Sequence, residues 1–359
     1  MRLDVVVKVT KLCNLRCSYC YETPWLDDPR RMKLSQIDAL YDRVAEMIAA
    51  VGDTSSAITF YWQGGEPMLV PASFWKGVYE RQDRFEARDG VCIRNELQSN
   101  ATRVTDEHVS ALRGRYVIGV SYDVANDNRR TAGGRPTARL VETGIERLRA
   151  GGVQLSGGIA VVSTANVDHA ASVVKFYLGQ GLNLRLLNIY TATDTQPAVA
   201  RAAIGWDRYI DFCRNALDEP GMREAMSAGL TVEPFTSAFR IRRLTEAGAA
   251  VTPSDGRREW VLLVDTSGDL YSAGDAYDTA LRYGNVFDDT LNTLFLSPAR
   301  ARRIARARER IDSICASGCE FFGHGCDGAY VGQCTPEEER AFAAAGRCYL
   351  SVIAGMERN

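Results

Sequence analysis

Three cysteines stand close together in "KLCNLRCSYCY", at Cys13, Cys17 and Cys20. On a helix this spacing would put all three on one face, as a buried stripe. Asn14, Arg16 and Ser18 are interleaved, and the stretch directly follows the valine-rich run "DVVVKV", so a loop is expected instead. Structural zinc takes four ligands. The three histidines, His108, His169 and His324, are too remote in sequence to supply the fourth. An iron–sulfur cluster fits better: a four-iron cluster ordinarily takes four thiolates, and with three the remaining iron is open to a substrate or cofactor.

Five more thiols, Cys315, Cys319, Cys326, Cys334 and Cys348, crowd the C-terminal end. They suit a zinc knuckle or a second cluster. Cys92 and Cys213 stand alone and are expected to be small buried hydrophobes. Between the cysteine groups lies "WQGGEP", residues 62–67. Gly64 and Gly65 allow close backbone approach to a ligand, and Glu66 can accept a charge-assisted bond from an ammonium group. The plain alternative is a tight turn.

The elements that would carry these residues alternate. Strand-like "DVVVKV", "AITFYW", "NELQSN", "YVIGVSYD", "GGIAVVS" and "LRLLNIY" are separated by helix-like stretches, among them "LSQIDALYDRVAEMIAAV", with Ser35 as N-cap, and "TARLVETGIERLRAGG". Such alternation predicts a parallel sheet covered by helices, here an α/β fold with a partial (β/α)6 TIM-like barrel and a cysteine-rich C-terminal extension. Chemistry in such barrels gathers at the C-terminal ends of the strands. The three cysteines, the Gly-Gly-Glu-Pro turn, Ser121 and Asp123 all follow strands on that face. The expected boundaries are 1–195 for the barrel, 196–250 for a helical bridge and 251–359 for the cysteine-rich domain. Within the last, "EWVLLVDTSGDLYSAGD" reads as two strands around a turn.

Composition narrows the function. Apolar residues make up 46% and charged residues 25%, with a net charge of −2, so no overall bias toward nucleic acid or membrane exists. No stretch is apolar for long enough to span a bilayer, and "MRLDVVVKVT" is too charged for a signal peptide. A cytoplasmic location is expected, where thiols stay reduced. The basic run Arg300 to Arg310 reads as a solvated helix face or as a docking surface for an acidic partner.

Taken together, the Cys-x3-Cys-x2-Cys spacing with an aromatic inside it and "GGEP" after the second strand resemble the radical S-adenosylmethionine (radical SAM) enzymes. "LQSNAT" and "VSYDVANDNRR" are similar to that family's segments after strands three and four. The resemblance covers most of residues 1–190. It implies a 4Fe-4S cluster on Cys13, Cys17 and Cys20 whose open iron binds S-adenosylmethionine. It also implies an external one-electron reductant and release of a 5′-deoxyadenosyl radical that takes a hydrogen atom from the substrate. It places Tyr19 near the adenine, and Ser121 with Arg129 or Arg130 at the ribose and carboxylate of the cofactor, alongside Gly64, Gly65 and Glu66.

The tail resembles a SPASM-type extension, which implies auxiliary 4Fe-4S clusters. A cysteine usual in the strand turn is replaced by Ala273, and no cysteine lies between Cys213 and Cys315. One auxiliary cluster is therefore expected, on Cys315, Cys319, Cys326 and Cys348, with Cys334 as an alternative ligand. Asp275 sits where related sulfatase-maturing enzymes carry an acidic proton acceptor, and is equally a turn aspartate. His324 is expected to be structural.

The resemblance favours a maturase that crosslinks side chains of a ribosomally made precursor peptide, forming a cyclophane-type ring. With barrel strand one at the start of the chain, no N-terminal leader-binding domain is expected. Peptide recognition then falls to the barrel mouth, the 196–250 helices, the tail or a separate leader-binding protein. The alternatives are a formylglycine-forming sulfatase maturase and a small-molecule dehydrogenase. A non-enzymatic cluster scaffold fits "WQGGEP" poorly.

Overall fold

The computed structural model describes residues 2–51, 57–124, 128–189, 196–257, 262–272 and 278–358. Ala273 and Asp275 lie outside the described residues.

The first half is a run of β/α units: β1 (Arg2–Thr10), α1 (Leu34–Val51), β2 (Ala57–Gly64), α2 (Ala72–Asp89), β3 (Cys92–Ser99), α3 (Asp106–Leu112), β4 (Val117–Ser121), α4 (Ala138–Ala150), β5 (Gln154–Val162), α5 (Ala170–Gly179) and β6 (Asn183–Asn188). Every neighbouring pair from β1 to β6 is parallel, so the fold is the partial TIM-like barrel. A bridge follows: α6 (Pro197–Ala202), α7 (Trp206–Leu217), α8 (Met222–Ser227), β7 (Val232–Glu233) and α9 (Phe235–Glu246). The remainder holds β8 (Leu262–Val264), β9 (Asp269–Ser272), β10 (Gly284–Asn285), α10 (Leu291–Phe295), α11 (Pro298–Arg310), α12 (Ala329–Gly332), α13 (Pro336–Ala345) and α14 (Tyr349–Ala354).

The sheet does not stop at the barrel. Its ten strands run β10-β9-β8-β1-β2-β3-β4-β5-β6-β7. β8 pairs parallel with β1, and β7 pairs parallel with β6. Segments from beyond residue 195 therefore cover both edges of the six-stranded unit, which would otherwise expose unpaired backbone.

Strand alternation sorts the side chains. Val5, Val7 and Val9 of β1 join Ile58, Phe60 and Trp62 of β2 in the core beneath the helices. Lys8, Thr59, Gln98 and Ser121 have the opposite parity, so they line the inner side. A second core joins β5 and β6 to α5, α7, α9 and α14. The tail is thus anchored through its last helix to the far side of the barrel.

Two local expectations need correction. Helix α1 begins at Leu34, so Ser35 lies inside it. Gln36 Oε1 instead accepts from the Lys33 N–H at 2.8 Å, satisfying a donor that the helix start leaves free. Cys92 is exposed, whereas Cys213 is buried as expected. Cys92 opens β3 with the parity opposite to Ile93, which takes the core position.

Candidate active site

The cysteine loop leaves β1 and is fixed from three sides. From the end of β2, Gly65 N–H donates to Thr10 O at 2.8 Å and Glu66 N–H to Leu12 O at 2.9 Å. A Cβ on Gly65 would overlap the carbonyl oxygens of Lys11 and Leu12, and one on Gly64, at φ +147°, would overlap that of Thr10. The close approach expected of this glycine pair is therefore to the cysteine loop itself. From beyond β4, residues 128–132 run alongside the loop. Arg16 N–H donates to Arg130 O, Ser18 N–H to Asn128 O, and Ala132 N–H to Asn14 O. From the end of β3, Asn100 donates to Asn14 Oδ1 at 3.1 Å, and Asn14 to Thr102 Oγ1 at 2.8 Å.

Glu66 ties two of these sides together. Its carboxylate is 1% exposed. It accepts from Met68 N–H at 2.8 Å, Ser99 Oγ–H at 2.7 Å and Asn100 N–H at 2.7 Å. Burial pushes its pKa up, and these donors oppose that shift. Three protein donors occupy most of the carboxylate's acceptor capacity, so its first role is to join the end of β2 to the end of β3.

Cys13, Cys17 and Cys20 are each half-buried within this frame. Burial, and then the nearby Glu66, push the Cys13 thiol up to about 12. Burial and then Glu22 do the same for Cys20, also to about 12. Cys17 is raised by burial, while the Arg129 guanidinium pulls it down. Binding to metal overrides such shifts, because a coordinating thiol is deprotonated outright.

Arg129 is the cation of the site. It is 8% exposed and donates to Tyr19 OH at 2.8 Å. Tyr19 OH in turn donates to the fully buried Asp123. The other Asp123 oxygen accepts from Val161 N–H at 2.9 Å. Arg129 Nε is buried without a hydrogen-bond partner. An unpaired buried donor is costly, and one near Cys17 suits a group carrying an anion, such as the carboxylate of an amino acid. Arg130 turns aside, its side chain donating to Gly134 O. Ser121 accepts from Gln98 Nε2 at 2.8 Å at the end of β4.

Asp123 is the site residue whose part was not read from sequence, although its place after β4 was noted. No motif marks it; the pairing with Tyr19 spans 104 positions and exists only in the folded barrel.

In the tail, Cys315 senses the thiols of Cys348, Cys326, Cys319 and Cys334, in that order after burial itself. Cys348 and Cys326 each sense Cys319. Cys334 packs in one small buried cluster with Cys315, and Cys348 lies against it; burial pushes its thiol up to about 12 while Arg310 pulls it down. Among the described residues, no three Cys, His, Asp or Glu side chains converge closely enough to hold a single metal ion. His324 is exposed.

The arginines of the basic run bond neighbouring segments, while Arg302, Arg306 and Arg308 stay exposed. Arg306 and Arg310 both bond Glu339, at 3.0 and 2.8 Å. Arg300, Arg302, Arg303 and Arg308 reach the carbonyls of Phe295, Ala280, Gly256 and Asp255. Helix α11 is mortar between neighbouring segments more than a free basic face.

The Radical SAM superfamily profile matches residues 7–177, the stretch that holds the three-cysteine loop after the first strand and the glycine-clamped turn after the second. The chain carries a radical SAM domain. It is 32% identical over 184 residues to the serine-type anaerobic sulfatase-maturating enzyme of Bacteroides thetaiotaomicron, a match covering 49% of this chain and 43% of that protein. It thus spans less than half the length of that relative. Its fold is similar to that of anSMEcpe with bound AdoMet, with a TM-score of 0.70 and 19% identity, covering 98% of this chain and 99% of that one. It is also similar to SuiB of Streptococcus suis bound to the precursor peptide SuiA, with a TM-score of 0.55 and 14% identity, covering 94% and 74%. Among the described residues no helix is long and apolar enough to cross a membrane.

Proposed function

We propose that this chain is a radical SAM maturase that takes a hydrogen atom from an sp3 carbon of a ribosomally made peptide and forms an intrapeptide crosslink. The observation that carries the radical chemistry is the buried, partly unpartnered Arg129 beside the three-cysteine loop. Cys13, Cys17 and Cys20 would hold a 4Fe-4S cluster, and Arg129 would receive the carboxylate of S-adenosylmethionine. That pair, once reduced by an external one-electron donor, supplies the 5′-deoxyadenosyl radical. The chain's own part is to orient. Asp123 and Tyr19 fix Arg129, Gly65 and Glu66 fix the loop, and Ser121 lines the inner wall.

The peptide class draws support from the likeness in fold to SuiB, solved with a precursor peptide, over 94% of this chain and 74% of that one. Forming one bond between two side chains removes two hydrogens. The first leaves as an atom to the radical, and the second as a proton and an electron. An auxiliary 4Fe-4S cluster on Cys315, Cys319, Cys326 and Cys348 is a suitable electron acceptor, because burial and hydrogen bonds to sulfur set its potential. Asp275 is the proposed proton acceptor.

A second reading is oxidation of a serine or cysteine to formylglycine. The relationship of the barrel to serine-type sulfatase-maturating enzymes favours it. The test is anaerobic incubation of the reconstituted protein with candidate peptides and reductant, followed by mass spectrometry. A crosslinked product loses two hydrogens, resists hydrazide labelling and shows a ring on fragmentation. A hydrazide-reactive aldehyde would overturn the crosslinking reading in favour of the second. Turnover of a sugar or amino acid with no change in any peptide would overturn both.

A further inference from the structure

On the inner wall, β3 and β4 set a polar pair beside a bare position. Gln98 of β3 lies directly opposite Gly119 of β4 in the parallel register. Residues two apart share a face of a strand, so Ser121 stands next along β4 on the same side. A Cβ on Gly119 would lie 2.2 Å from Gln98 Oε1. The amide of Gln98 therefore fills the space that a side chain at 119 would take. From there its Nε2 donates to Ser121 Oγ at 2.8 Å. This orientation suits both ends of the amide. The oxygen faces the Cα–H that stands in place of a Cβ, a weak donor, and the NH2 faces an acceptor.

A cross-strand pair that served stability alone would account for this poorly. The core side of both strands is the other face, where Leu97, Ile118 and Val120 pack beneath the helices. Gln98 and Ser121 are only half-buried. A glycine inside a strand weakens it, and often marks a place where another group must come close. The arrangement makes more sense as a device that sets polarity. A hydroxyl has one proton to give and two lone pairs to offer. Ser121 commits a lone pair to Gln98, and among the described residues no acceptor takes its proton. That proton is left for a bound molecule.

We propose that Gln98 and Gly119 are positioning residues that hold the Ser121 hydroxyl as a hydrogen-bond donor to an acceptor oxygen of S-adenosylmethionine. Gly119 makes room for the amide. Gln98 keeps the hydroxyl from turning its proton back into the wall. Ser121 alone of the three touches the cofactor. The inference rests on the radical SAM reading of the site, and adds the direction of one contact and the two residues that set it.

The test is S-adenosylmethionine binding to the anaerobically reconstituted full chain, measured by isothermal titration calorimetry. Ser121→Ala removes the donor and is expected to weaken binding about tenfold. Gln98→Met keeps the length of the side chain but cannot donate, which leaves the hydroxyl free to rotate. It is expected to weaken binding about threefold, with iron content unchanged. In a Ser121→Ala background the change at 98 should have no further effect, a coupling that a mere loss of packing would not show. Gly119→Ala pushes the amide from its place and should match Gln98→Met. If it does not fold, the variants at 98 and 121, which alter no core residue, carry the test. A parent that binds S-adenosylmethionine, with Gln98→Met or Ser121→Ala binding it equally well, overturns this inference alone. So does a loss from Gln98→Met that is the same with and without Ser121. A parent that does not bind S-adenosylmethionine overturns the radical SAM reading, and the inference with it.

Discussion

At the scale of single residues, space around the loop decides more than charge does. Gly65 has the carbonyls of Lys11 and Leu12 where a Cβ would sit, and both are backbone, so neither can rotate away. Gly65→Ala must displace the loop that carries the cysteines while leaving the core of β1 and β2 intact. The expected outcome is a folded protein that loses most of its S-adenosylmethionine cleavage, read as 5′-deoxyadenosine. A normal yield would show that the clamp is dispensable. Cys13→Ala, Cys17→Ala and Cys20→Ala are each expected to abolish that yield. Tyr19→Phe tests the buried triad differently. It removes the hydroxyl that donates to Asp123 and accepts from Arg129. Leaving both groups short of a partner should cost about 1–3 kcal/mol, measured by chemical denaturation. The same variant should weaken S-adenosylmethionine binding, because Arg129 loses the brace that orients it.

At the scale of elements, β1 to β6 were legible from the sequence because each strand is a short apolar run beside a helix of clear periodicity. The pairing of β8 with β1 was not, since Leu262 to Val264 is too short to announce a partner more than 250 residues away. The cysteine loop was legible by spacing and its braces were not, because Asn128 and Arg130 hold it by backbone groups, which sequence does not mark. What the arginines of helix α11 bond was not legible for a related reason. Arginine counts do not reveal acceptors, and here one acceptor, Glu339 on α13, takes two of them. Partial burial opposes ionisation of Glu339, but the bonds from Arg306 and Arg310 outweigh it and hold its pKa below the ordinary value. A depressed carboxyl stabilises the fold above its unfolded pKa and loses that contribution as pH falls through the folded one. Glu339→Gln should therefore destabilise by about 1 kcal/mol at neutral pH, with the difference from the parent fading below about pH 4. A constant difference across that range would show that the pairing contributes nothing. Peptide binding, by contrast, should be little affected by Arg302→Glu/Arg306→Glu, and a large salt-sensitive loss would restore the docking role.

At the scale of the whole molecule, the two thiol groups sit at opposite ends of the chain, tied together by shared elements. Helix α14 begins immediately after Cys348 and packs into the core that holds β5, β6 and α9. Cys348 is thus placed by the barrel as much as by the tail, and the ring of Tyr349 stacks on Trp206 of α7 at 4.8 Å. Cys315 lies close enough to feel Cys348, Cys326, Cys319 and, least of the four, Cys334, and Cys334 shares its buried cluster. Cys334 remains the alternative fourth ligand, since burial leaves it a neutral thiol in the absence of metal. The expected content of the reconstituted parent is about eight irons per chain, two clusters of four. Cys334→Ala should keep about eight irons, and Cys348→Ala should fall to about four. Iron and sulfide analysis on anaerobically purified protein measures both. An inverted result, with Cys334→Ala losing a cluster and Cys348→Ala keeping it, would move the fourth ligand to Cys334. A parent with about four irons would leave the tail without a cluster, and the electron released on crosslinking would then need an acceptor outside this chain.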